Sequence, residues 1–243
     1  MGWRIGLDPG HGGPDPGAVG ASGLMEKEVT LEVALMLGER LSIAGCDVVF
    51  SRREDVDVSL PERVALFNRA KVDLVVSLHV NSSSSQEASY LSTYILAPGG
   101  QAEKAARFIQ KEMVEALKWP DGGVREANFY ILRETEAPAV LVEMGFLSHP
   151  QEEAALRRKE TRQTLALALA RGIALYLGLN PDVFSLPQDI EGHWAEAIIR
   201  RCLELGLLKG YPDGTFRPDQ PATRAELAAG LLNLLDRIQA SRL

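Results

Sequence analysis

Two histidines and two carboxylates in the first 150 residues, His11, Glu26, His79 and Glu143, are the side chains best suited to chemistry. Imidazole nitrogens and carboxylate oxygens are zinc ligands, and a catalytic zinc takes three protein ligands and keeps a fourth position for water. His11, Glu26 and His79 offer two nitrogens and one oxygen. The metal lowers the pKa of water from about 15.7 towards roughly 7. A neighbouring carboxylate then takes the proton and passes it to a departing amine, and Glu143 suits that role. If the four meet in space, the chain is a metallohydrolase.

Read singly, the four differ in weight. His11 sits in Leu7-Asp-Pro-Gly-His11-Gly-Gly-Pro-Asp-Pro-Gly17, a loop too rich in Gly and Pro to be regular structure. It follows a strand, at the end where open α/β sheets place their ligands. Glu26 opens a helix, where an acid also complements the helix dipole. His79 lies in Asp73-Leu-Val-Val-Ser-Leu-His-Val80 and Glu143 in Ala139-Val-Leu-Val-Glu-Met-Gly-Phe146, both otherwise apolar runs. A carboxylate in such a strand needs a partner or a function. Neither a phosphate-binding glycine motif, HExxH nor GxSxG is present.

Strands are expected at 3–8, 47–52, 73–80, 89–96, 128–132 and 139–145. Helical periodicity fills the gaps. One helix runs from Glu26 to Ala44 and stops at Gly45; a Ser59/Glu62 capping box opens another that ends at Lys71. Further helices span Gln101–Lys118 and Thr161–Leu177. Alternating strands and helices predict an α/β fold with a mostly parallel, twisted sheet of about six strands and helices on both faces. Asn180-Pro181-Asp-Val-Phe-Ser-Leu-Pro187 reads as a linker. Beyond it, helices over 193–205 and 223–238 flank a turn at Asp213-Gly214, a small all-α module with a thin core. The expected domains are 1–180 and 181–243.

The 243 residues carry a net charge of -7, which excludes nucleic acid as a partner because phosphate binding needs a basic face. Cys46 and Cys202 lie among apolar neighbours and read as buried small hydrophobes, with no disulfide framework. No apolar run reaches membrane-span length. The strand beginning at Trp3 leaves no room for a signal peptide, so the expectation is a mature segment or export by another route.

Asp8-Pro-Gly-His-Gly-Gly13, Ser77-Leu-His-Val-Asn81, Ala127-Asn-Phe-Tyr-Ile-Leu132 and Leu141-Val-Glu-Met-Gly-Phe146 resemble, in order, the motifs of zinc-dependent N-acetylmuramoyl-L-alanine amidases. The likeness is to the type that includes cell-separation, sporulation and phage lytic enzymes, and it covers residues 3–178. It implies a phosphorylase/hydrolase-like sheet, one zinc ion held by His11, Glu26 and His79, and Glu143 as the catalytic carboxylate. Asn81 and Asn128, within two of the motifs, are the expected substrate contacts. The implied reaction cleaves the amide between the muramic acid lactyl group and L-alanine of peptidoglycan. Val80 departs from the family's usual alanine. No long insertion follows Ser82–Ser85, so the resemblance implies no autoinhibitory helix and constitutive activity.

In the tail, His193-Trp194-Ala, Gly210-Tyr-Pro-Asp-Gly-Thr-Phe-Arg-Pro218 and Thr223-Arg-Ala-Glu226 resemble a single S-layer homology repeat. Such repeats bind secondary polymers of the bacterial wall. Thr223 and Glu226 also form a capping box, which leaves Arg224 in the first helical turn, where a cation gains nothing from the dipole. Its planar fork suits an anionic sugar, and Trp194 either stacks on a sugar or belongs to the core. These readings imply an extracellular, wall-associated peptidoglycan hydrolase. Two alternatives stay open: a zinc peptidase cutting within the stem peptide, and a non-catalytic wall-binding protein on a hydrolase fold.

Overall fold

The computed structural model describes residues 2–184, 187–211 and 214–240. The chain divides into two compact units, Met1–Pro181 and Asp182–Leu243. In the first, strands β1 (Arg4–Pro9), β2 (Asp47–Phe50), β3 (Leu74–Asn81), β4 (Leu91–Ile95), β5 (Asp121–Glu126) and β6 (Ala139–Phe146) form one sheet, ordered β2-β1-β3-β6-β4-β5. The first four of that order are parallel. β4 pairs antiparallel with β6, and β5 runs parallel to β4. The α/β class and the mostly parallel six-stranded sheet match the expectation. Central β3 and β6 are buried almost throughout, which is why they read as continuous apolar runs.

Six helices accompany the sheet: α1 (Glu26–Ile43), α2 (Leu60–Ala70), α3 (Gln101–Leu117), α4 (Tyr130–Glu134), α5 (Pro150–Leu156) and α6 (Lys159–Leu177). α6 packs against both α1 and α3. Val64 and Phe67 of α2 and Ile131 and Leu132 of α4 form a cluster with Val75 of β3 and Leu141 of β6. Side chains alternate across a strand. His79 therefore shares the face of Val75, and Glu143 shares that of Leu141. The parallel register sets His79 directly opposite Glu143.

One expected strand is wrong. Residues 128–132 contain no strand; Tyr130–Glu134 is a helical turn, and the sheet takes Asp121–Glu126 instead. A four-residue apolar run cannot be told from a buried helix segment by periodicity. Ile131 and Leu132 are buried on one side of that turn. β5 pairs only with β4 and is half-exposed, so its polar Asp-Gly-Gly-Val-Arg-Glu sequence carries no strand pattern.

The second unit contains α7 (Glu196–Glu204) and α8 (Arg224–Ala240), with a small core of Ile190, Ala195 and Ile199 backed by Leu203 and Phe216. In the stretch read as a linker, Pro181–Phe184 is a 3₁₀ turn with Phe184 buried; Ser185 and Leu186 lie outside the described residues. So does Asp213 of the expected turn, while Gly214 takes the positive φ a tight turn requires. Cys46 is buried as expected, but Cys202 is only half-buried; both are free thiols. No described helix is long and apolar enough to cross a membrane.

Candidate metal and catalytic site

β1 ends at Pro9, and the Gly10 N–H makes a last bond to the Leu78 carbonyl at 3.0 Å. The chain then turns through His11, whose φ of 61° is left-handed. For a non-glycine residue that conformation costs about 1–2 kcal/mol. The turn carries the imidazole back over the C-terminal ends of β1 and β3. Glu26 enters from the start of α1, and His79 rises from β3.

His11, Glu26 and His79 converge with one donor atom each inside 4.8 Å of the others, a group that could hold a metal ion. Glu26 Oε1 lies 3.1 Å from His11 Nε2 and 2.9 Å from His79 Nδ1, and accepts the Val80 N–H at 2.9 Å. Its Oε2 accepts the Ala18 N–H at 2.8 Å. On the far side of the His11 ring, Nδ1 lies 2.7 Å from Asp15 Oδ2. A carboxylate on the outer nitrogen fixes ring orientation and leaves the inner nitrogen for a metal. Sequence reasoning missed Asp15, although an acid four residues after a loop histidine is a legible signal.

Two loop glycines pack closely against these rings. A Cβ on Gly10 would lie 2.4 Å from the His79 ring, and one on Gly17 would lie 2.6 Å from both Glu26 and the His11 ring. Both glycines are cradles for the donor set. The charges tell the same story. Burial alone would lower the His11 pKa, but Glu26 and Asp15 outweigh it and raise it to about 9. Burial likewise works against charge on His79, and Glu26 and Glu143 reverse it to a net upward shift. Burial would raise Glu26, yet bonds from His11, His79 and Ala18 hold it far below the usual carboxylate range. A buried carboxylate with two imidazoles around it demands positive charge. Protons supply that charge in the metal-free protein, and a dication fits the same donor set.

Glu143 sits beside the cluster on β6. It is held in the unusual direction: burial pushes its pKa up to about 7, against the opposing charges of His79 and His11. Its Oε2 is buried and makes no hydrogen bond to any described residue. A carboxylate kept unpartnered and half-protonated near neutrality is poised to exchange protons.

A cleft of about 430 Å³ opens on this group. His11, His79 and Glu143 line it, with Leu60 at the start of α2 and Phe129 and Tyr130 at the start of α4. Asn81 and Asn128 are not among its lining residues. Asn81 Oδ1 accepts from the Ser82 N–H at 2.8 Å, and Asn128 Oδ1 accepts from Arg133 at 2.8 Å. In the tail, the Thr223/Glu226 capping box forms, with Thr223 Oγ1 2.8 Å from Glu226 and the Glu226 N–H returning at 3.2 Å. Arg224 is exposed beside it. Trp194 is 84% exposed, which removes the core alternative for that residue.

Fold and side chains together define an α/β protein with a His/Glu/His cluster that could hold a metal ion, and a half-buried carboxylate beside it, at the C-terminal edge of its sheet. A family profile described as N-acetylmuramoyl-L-alanine amidase matches residues 5–175, and the S-layer homology domain matches residues 188–228. The chain belongs to the N-acetylmuramoyl-L-alanine amidase family. It is 38% identical over 172 residues to the uncharacterized protein YqiI of Bacillus subtilis, covering 70% of this chain and 82% of that one. It is 34% identical over 191 residues to the germination-specific N-acetylmuramoyl-L-alanine amidase of the same organism, covering 72% and 80%. Among solved structures, the catalytic domain of CwlV, an N-acetylmuramoyl-L-alanine amidase from Bacillus (Paenibacillus) polymyxa var. colistinus, superposes with a TM-score of 0.70 at 34% identity, covering 73% of this chain and 99% of that one.

Proposed function

We propose that this protein is a zinc-dependent peptidoglycan hydrolase that cleaves the amide between N-acetylmuramic acid and L-alanine, and that its second unit keeps it at the bacterial cell wall. The observation that carries the reading is the placement of a half-buried Glu143, its Oε2 buried without a hydrogen bond, beside the His11/Glu26/His79 cluster, in a chain whose family acts on that bond. His11, Glu26 and His79 hold the ion. When bound, zinc polarises a carbonyl oxygen and lowers the pKa of water from about 15.7 towards roughly 7.

The chain's own residues do the rest. Asp15 keeps the His11 ring turned inward, and the Ala18 and Val80 N–H groups fix the Glu26 carboxylate. Glu143 takes a proton from the attacking water as the new C–O bond forms at the lactyl carbonyl. It delivers that proton to the L-alanine nitrogen as the C–N bond breaks. Leu60, Phe129 and Tyr130 give the cleft apolar walls against which the substrate would lie. Asn81 and Asn128 engage their own oxygens internally, so each offers its NH₂ group to substrate outside the cleft. In the second unit, Arg224, with its guanidinium fork, and the exposed ring of Trp194 are the proposed contacts to an anionic secondary wall polymer.

Mass spectrometry of digested peptidoglycan tests the reading. The expected products are stem peptides with a free L-alanine amino terminus and glycan strands stripped of peptide. Chelation should abolish them and added zinc restore them. New termini inside the stem peptide would mean a peptidase, and activity indifferent to chelation would reject the metal.

A further inference from the structure

Two buried arginines grip the backbone that presents His11, and neither belongs to the donor set. Arg63 of α2 is 3% exposed and Arg52, just after β2, is equally buried. Arg63 Nη2 donates to the His11 carbonyl at 2.8 Å, Nη1 to the Pro9 carbonyl at 2.6 Å, and Nε to the Val58 carbonyl at 2.7 Å. Arg52 donates through Nε to the Pro9 carbonyl at 3.1 Å and through Nη2 to the Gly10 carbonyl at 2.9 Å. Three consecutive carbonyls, released from the sheet as β1 ends, are thus bound by two guanidinium forks. Asp8, 2.8 Å from Arg63 Nη1, neutralises the first of them, and is itself held by Ser51 and Ser77.

We propose that Arg63 is a positioning residue for the metal site: its fork locks the His11 carbonyl, and so holds His11 in the left-handed turn that aims Nε2 at Glu26 and His79. The turn is disfavoured for histidine and needs an external hold. Of the groups around it, only Arg63 binds the His11 carbonyl among the described hydrogen bonds. Lysine would keep the charge opposite Asp8 but has no planar fork, and cannot serve the Pro9 and His11 carbonyls in the same geometry. The metal site is therefore prearranged by a buried ion pair that lines the same cleft but adds no donor to the His11/Glu26/His79 group.

This inference rests on His11 being a metal ligand, and the test separates the two. Zn²⁺ affinity of the full-length protein is measured by competition with a chromophoric chelator in wild type, Arg63→Lys and Val64→Ala. Val64→Ala is a neighbouring core change on α2 that loosens a cluster containing no residue of the His11 loop. The expected result is a 10–100-fold loss for Arg63→Lys, the range typical of groups that orient metal ligands, with Val64→Ala close to wild type. An Arg63→Lys protein that binds zinc like wild type, or no worse than Val64→Ala at matched thermal stability, overturns the clamp. A wild-type protein that takes up no zinc overturns the ligand assignment itself. If Arg63→Lys does not fold, amide exchange of Gly12 in metal-free wild type decides. A prearranged loop keeps that amide protected on Asp15 with or without zinc, whereas protection that appears only with zinc refutes the clamp.

Discussion

Replacing Glu143 with glutamine separates the two consequences of burying a carboxyl beside His79. The native state holds this proton more tightly than the unfolded chain, since burial pushes the pKa from 4.5 up to about 7. Stability from that proton is complete below the unfolded value and is lost as pH climbs through the folded one. Across that interval, at about 1.36 kcal/mol per pH unit, it amounts to roughly 3 kcal/mol. The amide variant has nothing to titrate there. In metal-free protein, the stability of Glu143→Gln relative to wild type should therefore rise by about 3 kcal/mol between pH 4.5 and pH 8. Urea unfolding followed by tryptophan fluorescence measures this, because Trp3 and Trp119 both lie in the first unit. On soluble muropeptides the zinc-loaded variant should lose about 10²–10⁴-fold in kcat, the usual weight of a general acid–base group. A stability difference that ignores pH would refute the burial argument, and a zinc-loaded variant with near-normal turnover would refute the role.

Gly10→Ala places a methyl 2.4 Å from the His79 ring. Zinc affinity, by chelator competition, is expected to fall about 10–100-fold, and an unchanged affinity would mean the ring is free to move. The Asp8 carboxyl would be raised by burial, but Arg63's charge and bonds from Ser51, Arg63 and Ser77 hold it below its ordinary value. Its contribution is present above the unfolded pKa near 3.8 and disappears as pH falls through the folded one. Asp8→Asn should cost about 3 kcal/mol or more at pH 7, as for a broken buried pair. Urea midpoints of variant and wild type should then converge as pH drops below 3; a gap that persists there contradicts the pairing. Ending the chain after residue 182 should weaken binding to intact walls in a sedimentation assay while sparing hydrolysis of soluble muropeptides. Equal wall affinity would remove the anchoring role.

The four chemical residues were legible for different physical reasons. Glu143 and His79 stood out because they interrupt apolar strands, where an ionisable group is expensive. Glu26 had no such contrast: an acid in a first helical turn has an ordinary explanation, and only the flanking motifs separated it from that. Arg63 was hidden for the opposite reason. It shares the apolar face of α2 with Phe67, four residues on, and an arginine on a buried helical face was a readable signal. Its partners in the His11 loop were not readable, because they are backbone carbonyls 52 and 54 residues away that carry no sequence mark. The edge strand β5 failed for want of pattern, since one pairing partner and half-exposure impose no alternation.

This division follows from how the site is built. His79 and Glu143 are register partners on adjacent strands, so their separation is set by the strand spacing of roughly 4.8 Å. Any sequence that keeps the sheet keeps that distance. His11 has no such guarantee, because it stands beyond the last ladder bond of β1 in a conformation histidine disfavours. The sheet fixes Glu143 and His79 relative to each other, and the loop must be brought to them. The ligand role proposed for His11 demands a rigid support for its loop, and two buried guanidiniums on three consecutive carbonyls are placed to supply it without adding a donor that would compete for an ion.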